Sequence, residues 1–249
     1  MKTSWESSSK WYNAIVGKEG HYYHQKIIIK NLLRLLELKK GNSLLDLGCG
    51  QGVLARAINE EVDYHGLDLS KSLIQSARRE ARGPNRQFTV ADICKPFPLE
   101  SEQFSHAAIV LALQNVENPE KTFKEIAKHL KRDGRLAIVL NHPCFRIPRQ
   151  SHWHVDQSKK LQSRKMDSYM SPLKIPIQTH PGKGSRSEQT MSFHYPLSLL
   201  SKWLKNAGFV IECMEEWNSD KESSGKCAKM ENRARAEFPL FLTIICITK

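Results

Sequence analysis

At 249 residues, 40% of them hydrophobic, the chain is long enough for one α/β domain with a generous core and an insertion. No apolar run approaches a membrane span, since Ile27-Ile28-Ile29 and Leu240 to Ile247 are short and interrupted. The N-terminus does not lead into the apolar core of a signal peptide, so a cytoplasmic location is expected. The formal charge of +12 raises the question of a nucleic-acid partner, but its placement matters more than its size. Between Cys144 and Thr190 nine Lys or Arg (Arg146, Arg149, Lys159, Lys160, Arg164, Lys165, Lys174, Lys183, Arg186) face three acids (Asp156, Asp167, Glu188), which is half of the net excess.

Residues 1–9 are Ser-rich and are expected to fray. Aromatics and histidines then gather (Trp11, Tyr12, His21, Tyr22, Tyr23, His24), and Gln25 to Lys39 carries Ile28, Leu32, Leu35 and Leu36 at helical spacing. The stretch Leu44-Leu45-Asp46-Leu47-Gly48-Cys49-Gly50-Gln51-Gly52 follows, an apolar strand that ends in an acid and a glycine at every second position. Such glycines let a backbone turn sharply against a ligand, and a helix is expected over Val53 to Glu60. Strand, glycine turn and helix N-terminus together make a nucleotide site. A second strand from Val62 ends at Asp68, twenty residues after Gly48, where a carboxylate can accept from both hydroxyls of a ribose. The spacing is G-x-G-x-G rather than G-x-G-x-x-G, and it suits NAD and S-adenosylmethionine alike. Ser70 caps a helix running to Arg82, Gly83-Pro84 ends it, and Gln87 to Val90 form a third strand with Ala91-Asp92-Ile93 at its end.

These motifs, LLDLGCGQG, GLDLS and ADI in that order, resemble the class I S-adenosylmethionine-dependent methyltransferases, and within them the methyltransferase type 11 group that includes the ubiquinone and menaquinone biosynthesis enzymes. The resemblance covers residues 44 to about 140 well and the last third loosely. It implies a Rossmann-like, seven-stranded, mostly parallel sheet with helices on both faces, an antiparallel last strand, and a substrate-cap insertion after strand five. The divisions it suggests are an N-terminal lid and helix (1–40), a cofactor-binding core (41–140), the cap (141–195) and a C-terminal helix and strands (196–249). S-adenosylmethionine is the implied cofactor. Its implied binding residues are Asp46, Gly48, Cys49, Gly50 and Gly52 of the turn, Asp68 and Leu69 on the ribose side, Asp92 and Ile93 around adenine, Leu111, and Tyr12 of the lid. Tyr22 or His24 is a further lid contact toward the methionine end.

Phe104 to Leu111 reads as a continuous apolar strand, the buried centre of a parallel sheet. Its end, Ala112-Leu113-Gln114-Asn115-Val116, lacks the (N/D/S)-P-P-(Y/F) signature of enzymes that methylate nucleic-acid amines. Pro119 opens the next helix, Lys131-Arg132-Asp133-Gly134 ends it, and Arg135 to Leu140 form strand five. About fifty residues without clear periodicity then precede Tyr195-Pro196, a length that is usually functional within a compact domain. A glycine-closed helix (Pro196 to Gly208), a strand (Phe209 to Trp217), a basic loop and a last strand (Phe238 to Ile247) complete the chain.

An activated methyl group needs an acceptor held in line and water excluded, and no obligatory catalytic residue follows. Where the acceptor is a hydroxyl or an acidic carbon a base helps, and His142, just past a strand's carboxyl end, is the candidate. His142, Trp153 and His194 are the candidate substrate contacts; His152, His154 and His180 lie in the same stretch. His152-Trp153-His154 has no acid or thiolate at ligand spacing, so no metal is expected, and the six scattered cysteines read as reduced thiols. The expected function is methylation of a small-molecule acceptor, at O or C, phenolic or anionic. The alternatives are an RNA methyltransferase using the basic cap and a non-enzymatic protein that binds the cofactor. Nothing in the sequence selects an oligomeric state.

Overall fold

A computed structural model describes residues 5–17, 20–99, 103–179, 187 and 189–249. His180, Lys183, Arg186 and Glu188, counted above, lie outside the described residues. After a single turn at Glu6–Ser8, the elements begin with α1 (Ser9–Val16), a π-helical turn (His24–Ile28), α2 (Ile29–Leu36), β1 (Ser43–Leu47), α3 (Val53–Ala57), β2 (Asp63–Asp68), α4 (Lys71–Glu80) and β3 (Arg86–Val90). Next come β4 (Phe104–Val110), α5 (Pro119–His129), β5 (Leu130–Asn141), β6 (Ser151–Asp156), β7 (Leu161–Met166), β8 (Leu173–Gln178) and β9 (Gln189–His194). The chain closes with α6 (Leu197–Asn206), β10 (Phe209–Trp217), α7 (Ala228–Glu237) and β11 (Phe241–Thr248).

Seven strands form one sheet in the order β10-β11-β5-β4-β1-β2-β3. The first five strands of the chain run parallel, and β11 inserts antiparallel between β5 and β10. One apolar layer covers each face. Phe123 and Ile126 of α5 and Leu200 and Leu204 of α6 pack on one side; Leu32 and Leu36 of α2, with Ile74 and Ala77 of α4, pack on the other. Burial of each such side chain is worth about 1.5–3 kcal/mol. Helix starts follow the local chemistry: the Ser70 hydroxyl accepts from the Leu73 N–H at 3.2 Å, and the Asn118 side chain accepts from the Lys121 N–H at 3.1 Å, just before Pro119.

Several expectations are corrected. Residues 5–9 do not fray: Glu6–Ser8 make a turn and Ser9 begins α1. The helix expected over Gln25 to Lys39 opens with the π turn and stops at Glu37, whose φ is 52°. Strand five begins earlier, at Leu130, and the loop after β10 contains α7. The stretch expected to lack pattern holds two antiparallel hairpins, β6–β7 and β8–β9.

The β1–β4 boundary is where successive connections leave to opposite sides of the sheet, and open α/β sheets bind ligands at the carboxyl end of such a boundary.

Candidate functional site

At that boundary the chain turns through Gly48, Gly50 and Gly52, with φ of 74°, 55° and 79°. These are left-handed conformations that side chains with a Cβ resist. The turn is pinned to β2 by the Gly48 and Cys49 N–H groups, which donate to the Leu67 carbonyl at 2.7 and 3.0 Å. At Gly48 a Cβ would stand 2.5 Å from the Ala112 Cβ, so only glycine lets β1 and β4 come this close. Asp68 then spans the turn: its carboxylate accepts from the Gly50 N–H at 2.9 Å and the Ser70 N–H at 2.8 Å. Burial pushes its pKa up, against those two bonds, and Glu6 adds to the rise.

A cavity of about 330 Å³ opens over these groups, within the range of small-molecule sites. Eight of the sequence-predicted residues lie on its wall: Tyr12, Gly48, Gly50, Asp68, Leu69, Asp92, Ile93 and Leu111. Asp92 is held by the Cys94 N–H, which donates to it at 3.0 Å. Leu111 takes a left-handed φ of 51° while its N–H donates to the Val139 carbonyl at 2.8 Å, which ends β4 and turns the chain along the cavity. Tyr12 comes from α1 and lies against the glycine turn, its phenol oxygen 3.7 Å from where a Cβ on Gly50 would be. Burial, with Asp68, Cys49 and Asp46 nearby, pushes this phenol up to about 12.

Three other predicted cofactor residues are not on the wall. Asp46 is 2% exposed beneath the turn and accepts from the Tyr64 hydroxyl at 2.6 Å; burial raises it to about 7, the Tyr64 bond opposing and Asp68 adding. Cys49 turns away from the cavity toward Gly66, where a Cβ would meet its Sγ at 2.7 Å. Gly52 packs on Ala77, Ala81 and Phe88 at the start of α3.

The proposed base is also misplaced. His142 is 1% exposed, its Nδ1 accepts from the Cys144 N–H at 3.1 Å, and its Nε2 faces the Glu216 carboxylate at 2.5 Å. Both nitrogens are engaged and the ring lies tilted against Phe145, so His142 has no free lone pair for a substrate proton. Successive side chains leave a strand on opposite sides, and the cavity position belongs to Asn141. Trp153 lies on β6 against Phe238 rather than on the cavity, and Tyr22 bonds Asp220 at the surface. His194 borders a smaller hollow of about 40 Å³ that shares Gln114, Asn141, Pro148 and Ser192 with the main one. Its Nε2 donates to the Tyr169 carbonyl at 2.6 Å.

The wall also includes Trp5, Gln114, Asn115, Asn141, Ile177 and Ser192, which the motifs did not reveal, and His24. Ile177 and Ser192 come from the β8–β9 hairpin. Two buried atoms on this wall, His24 Nδ1 and Gln114 Oε1, have no hydrogen-bond partner among the described residues and are open to a ligand. Burial, with His21 adding, pushes His24 down to about 4, so it is neutral at neutral pH.

Fold and cavity together define a nucleotide-binding α/β protein with its ligand wall at the ends of β1, β2, β3 and β4. Residues 45–138 match the family model described as a methyltransferase domain. Similar proteins include a demethylmenaquinone methyltransferase of Lactobacillus johnsonii, 27% identical over 56% of this chain and 62% of its own length. A 2-phytyl-1,4-naphtoquinone methyltransferase of Trichormus variabilis is 28% identical over 54% and 65%. The chain thus spans less than two thirds of the length of these two relatives. Among solved structures, an S-adenosylmethionine-dependent methyltransferase from Mesorhizobium loti is 25% identical with a TM-score of 0.67, over 87% of this chain and 96% of that one. One from Listeria monocytogenes, 22% identical with a TM-score of 0.69 over 89% and 98%, shares the fold.

The residues present fit the S-adenosylmethionine named for these neighbours. The cavity offers a carboxylate at the ribose position, a second acid at the end of β3 and a bare glycine backbone between them.

Proposed function

We propose that the protein transfers the methyl group of S-adenosylmethionine to a small-molecule acceptor, at oxygen or carbon, that is phenolic or anionic. The observation that carries this reading is one cavity with two unlike walls. Gly48, Gly50, Asp68, Leu69, Asp92 and Ile93 form the cofactor wall, and Gln114, Asn141, Ile177 and Ser192 the acceptor wall. The bound cofactor supplies a methyl group already activated by its positive sulfur. Asp68 binds the ribose hydroxyls, Asp92 the adenine amine, and Leu69 and Ile93 cover the adenine with apolar surface. Trp5 and Tyr12 close the cavity from the N-terminal side and keep water from the transferring group. Asn141 and Gln114 orient the acceptor, and a neutral His24 is able to take a proton from it. The named quinone relatives support a small aromatic acceptor.

The experiment is methyl transfer from labelled cofactor into a small-metabolite extract and into total RNA. Label in the metabolite pool is expected, and Asp68→Ala should weaken cofactor binding about ten- to hundredfold. Label in RNA alone would replace this reading with the nucleic-acid one, and label in neither, with the cofactor bound, would favour a non-enzymatic role.

A further inference from the structure

Beside the acceptor wall, where Asn141 and Pro148 border both spaces, lies a second hollow of about 350 Å³. Tyr23 and Phe241 give it apolar sides, and Arg146 and Arg164 line it with positive charge. The two guanidiniums sit 5.2 and 5.1 Å from the ring centre of one residue, Trp153. Among the described residues their hydrogen bonds go to neutral oxygens. Arg146 donates to the carbonyls of Pro239 at 3.2 Å and Phe238 at 3.1 Å; Arg164 donates to the Phe145 carbonyl at 2.8 Å and to Ser151, its hydroxyl at 2.8 Å and its carbonyl at 3.3 Å. Neither forms an ion pair with a carboxylate among the described residues, although both are half-buried.

The indole attracts each cation, but the two share one ring with no carboxylate in ion-pair reach among the described residues, so their mutual repulsion is uncompensated. Neutral donors would tie the segment at Arg146 to residues 238–239, and β7 to Phe145 and Ser151, without the repulsion. Burial, with Arg164 adding and Tyr23 opposing, pushes the Arg146 guanidinium down to about 10. Each guanidinium keeps N–H groups beyond those spent on carbonyls, in the planar fork that fits a carboxylate or phosphate.

We infer that this hollow holds the anionic group, a carboxylate or a phosphate, of the small molecule whose other end is methylated. The inference rests on the methyl-transfer reading and gives its acceptor a charge and a direction. The reacting atom lies toward Asn141 and Gln114, and the negative group toward Arg146 and Arg164.

The test is calorimetry on the full chain saturated with S-adenosylhomocysteine, using benzoate, phenyl phosphate and neutral benzamide as probes. One of the two anions is expected to bind with a roughly millimolar Kd, as suits ligands of this size, and benzamide about tenfold or more weakly. Tighter benzoate identifies a carboxylate acceptor and tighter phenyl phosphate a phosphorylated one. Arg164→Gln should weaken the anion about tenfold or more, and Arg164→Lys should retain more of the affinity. Benzamide binding as well as the anions in the wild type, which needs no variant, would overturn the inference. So would anion binding as tight in Arg164→Gln as in the wild type. If instead S-adenosylhomocysteine does not bind the wild type, the methyl-transfer reading itself fails, whatever the anions do.

Discussion

Asp46 shows how a residue at the centre of a motif serves from below the site. It is buried under the glycine turn, held by Tyr64, and its pKa rises from 3.8 to about 7. A carboxyl raised in this way holds extra protons in the native state, so its contribution to stability falls as pH climbs from 3.8 toward 7 and is level outside that interval. Asp46→Asn removes the titration. Denaturant unfolding of both proteins should therefore show the wild type losing ground against the variant across that range, and a gap independent of pH would mean that Asp46 does not titrate there. His142 and Asn141 teach the complementary lesson. A histidine past a strand end has the right chemistry for a base, but the parity of one residue decides which side chain faces the ligand, and strand five runs one residue further than its apolar pattern.

At the scale of elements, the glycine turn is the part with least tolerance. Gly48→Ala combines a φ of 74° with a Cβ 2.5 Å from Ala112 Cβ, where the turns that follow the paired strands β1 and β4 meet. It should cost about 2 kcal/mol or more, seen as a lowered urea midpoint, and should weaken the cofactor as well. An unchanged midpoint would refute the close β1–β4 approach. This turn was legible because closely spaced glycines between an apolar strand and a helix have few other uses. The Ser70 cap of α4, the Pro119 start of α5 and the strands β1, β2 and β4 were legible for similar local reasons. The hairpins were not. In β6–β7 the sequences SHWHVD and LQSRKM leave no residue fully buried, so no apolar alternation marks them. In α7 only Ala234 is buried, and a helix so little covered carries no 3.6-residue stripe. Ile177 and Ser192 reach the cavity from such a hairpin, and half of the acceptor wall was hidden with them.

Across the whole molecule, the cavity is closed by pieces far apart in sequence. The first thirty residues supply Trp5, Tyr12 and His24, and β8–β9 supplies Ile177 and Ser192. Among the described residues no helix is long and apolar enough to cross a membrane. The N-terminal cover is fastened at the start of α4, where Glu6 accepts from the Ser70 hydroxyl at 2.5 Å, and from the Ser72 N–H at 3.1 Å and hydroxyl at 2.5 Å. Those bonds lower the Glu6 pKa, so the fastening is ionised at neutral pH. Asn13 adds a bond to Ser76 at 2.9 Å, and Gln51 reaches the Gly17 carbonyl at 2.7 Å.

The consequence is kinetic. On the proposed methyl transfer, spent cofactor leaves past these hydrogen-bonded contacts, and their opening is expected to set its residence time. Glu6→Ala should shorten the residence time of S-adenosylhomocysteine roughly three- to tenfold in stopped-flow displacement, with little change in the association rate. If release limits turnover, the same variant will run faster at saturating acceptor, and the surface carboxylate that guards the exit will prove to be the clock of the cycle.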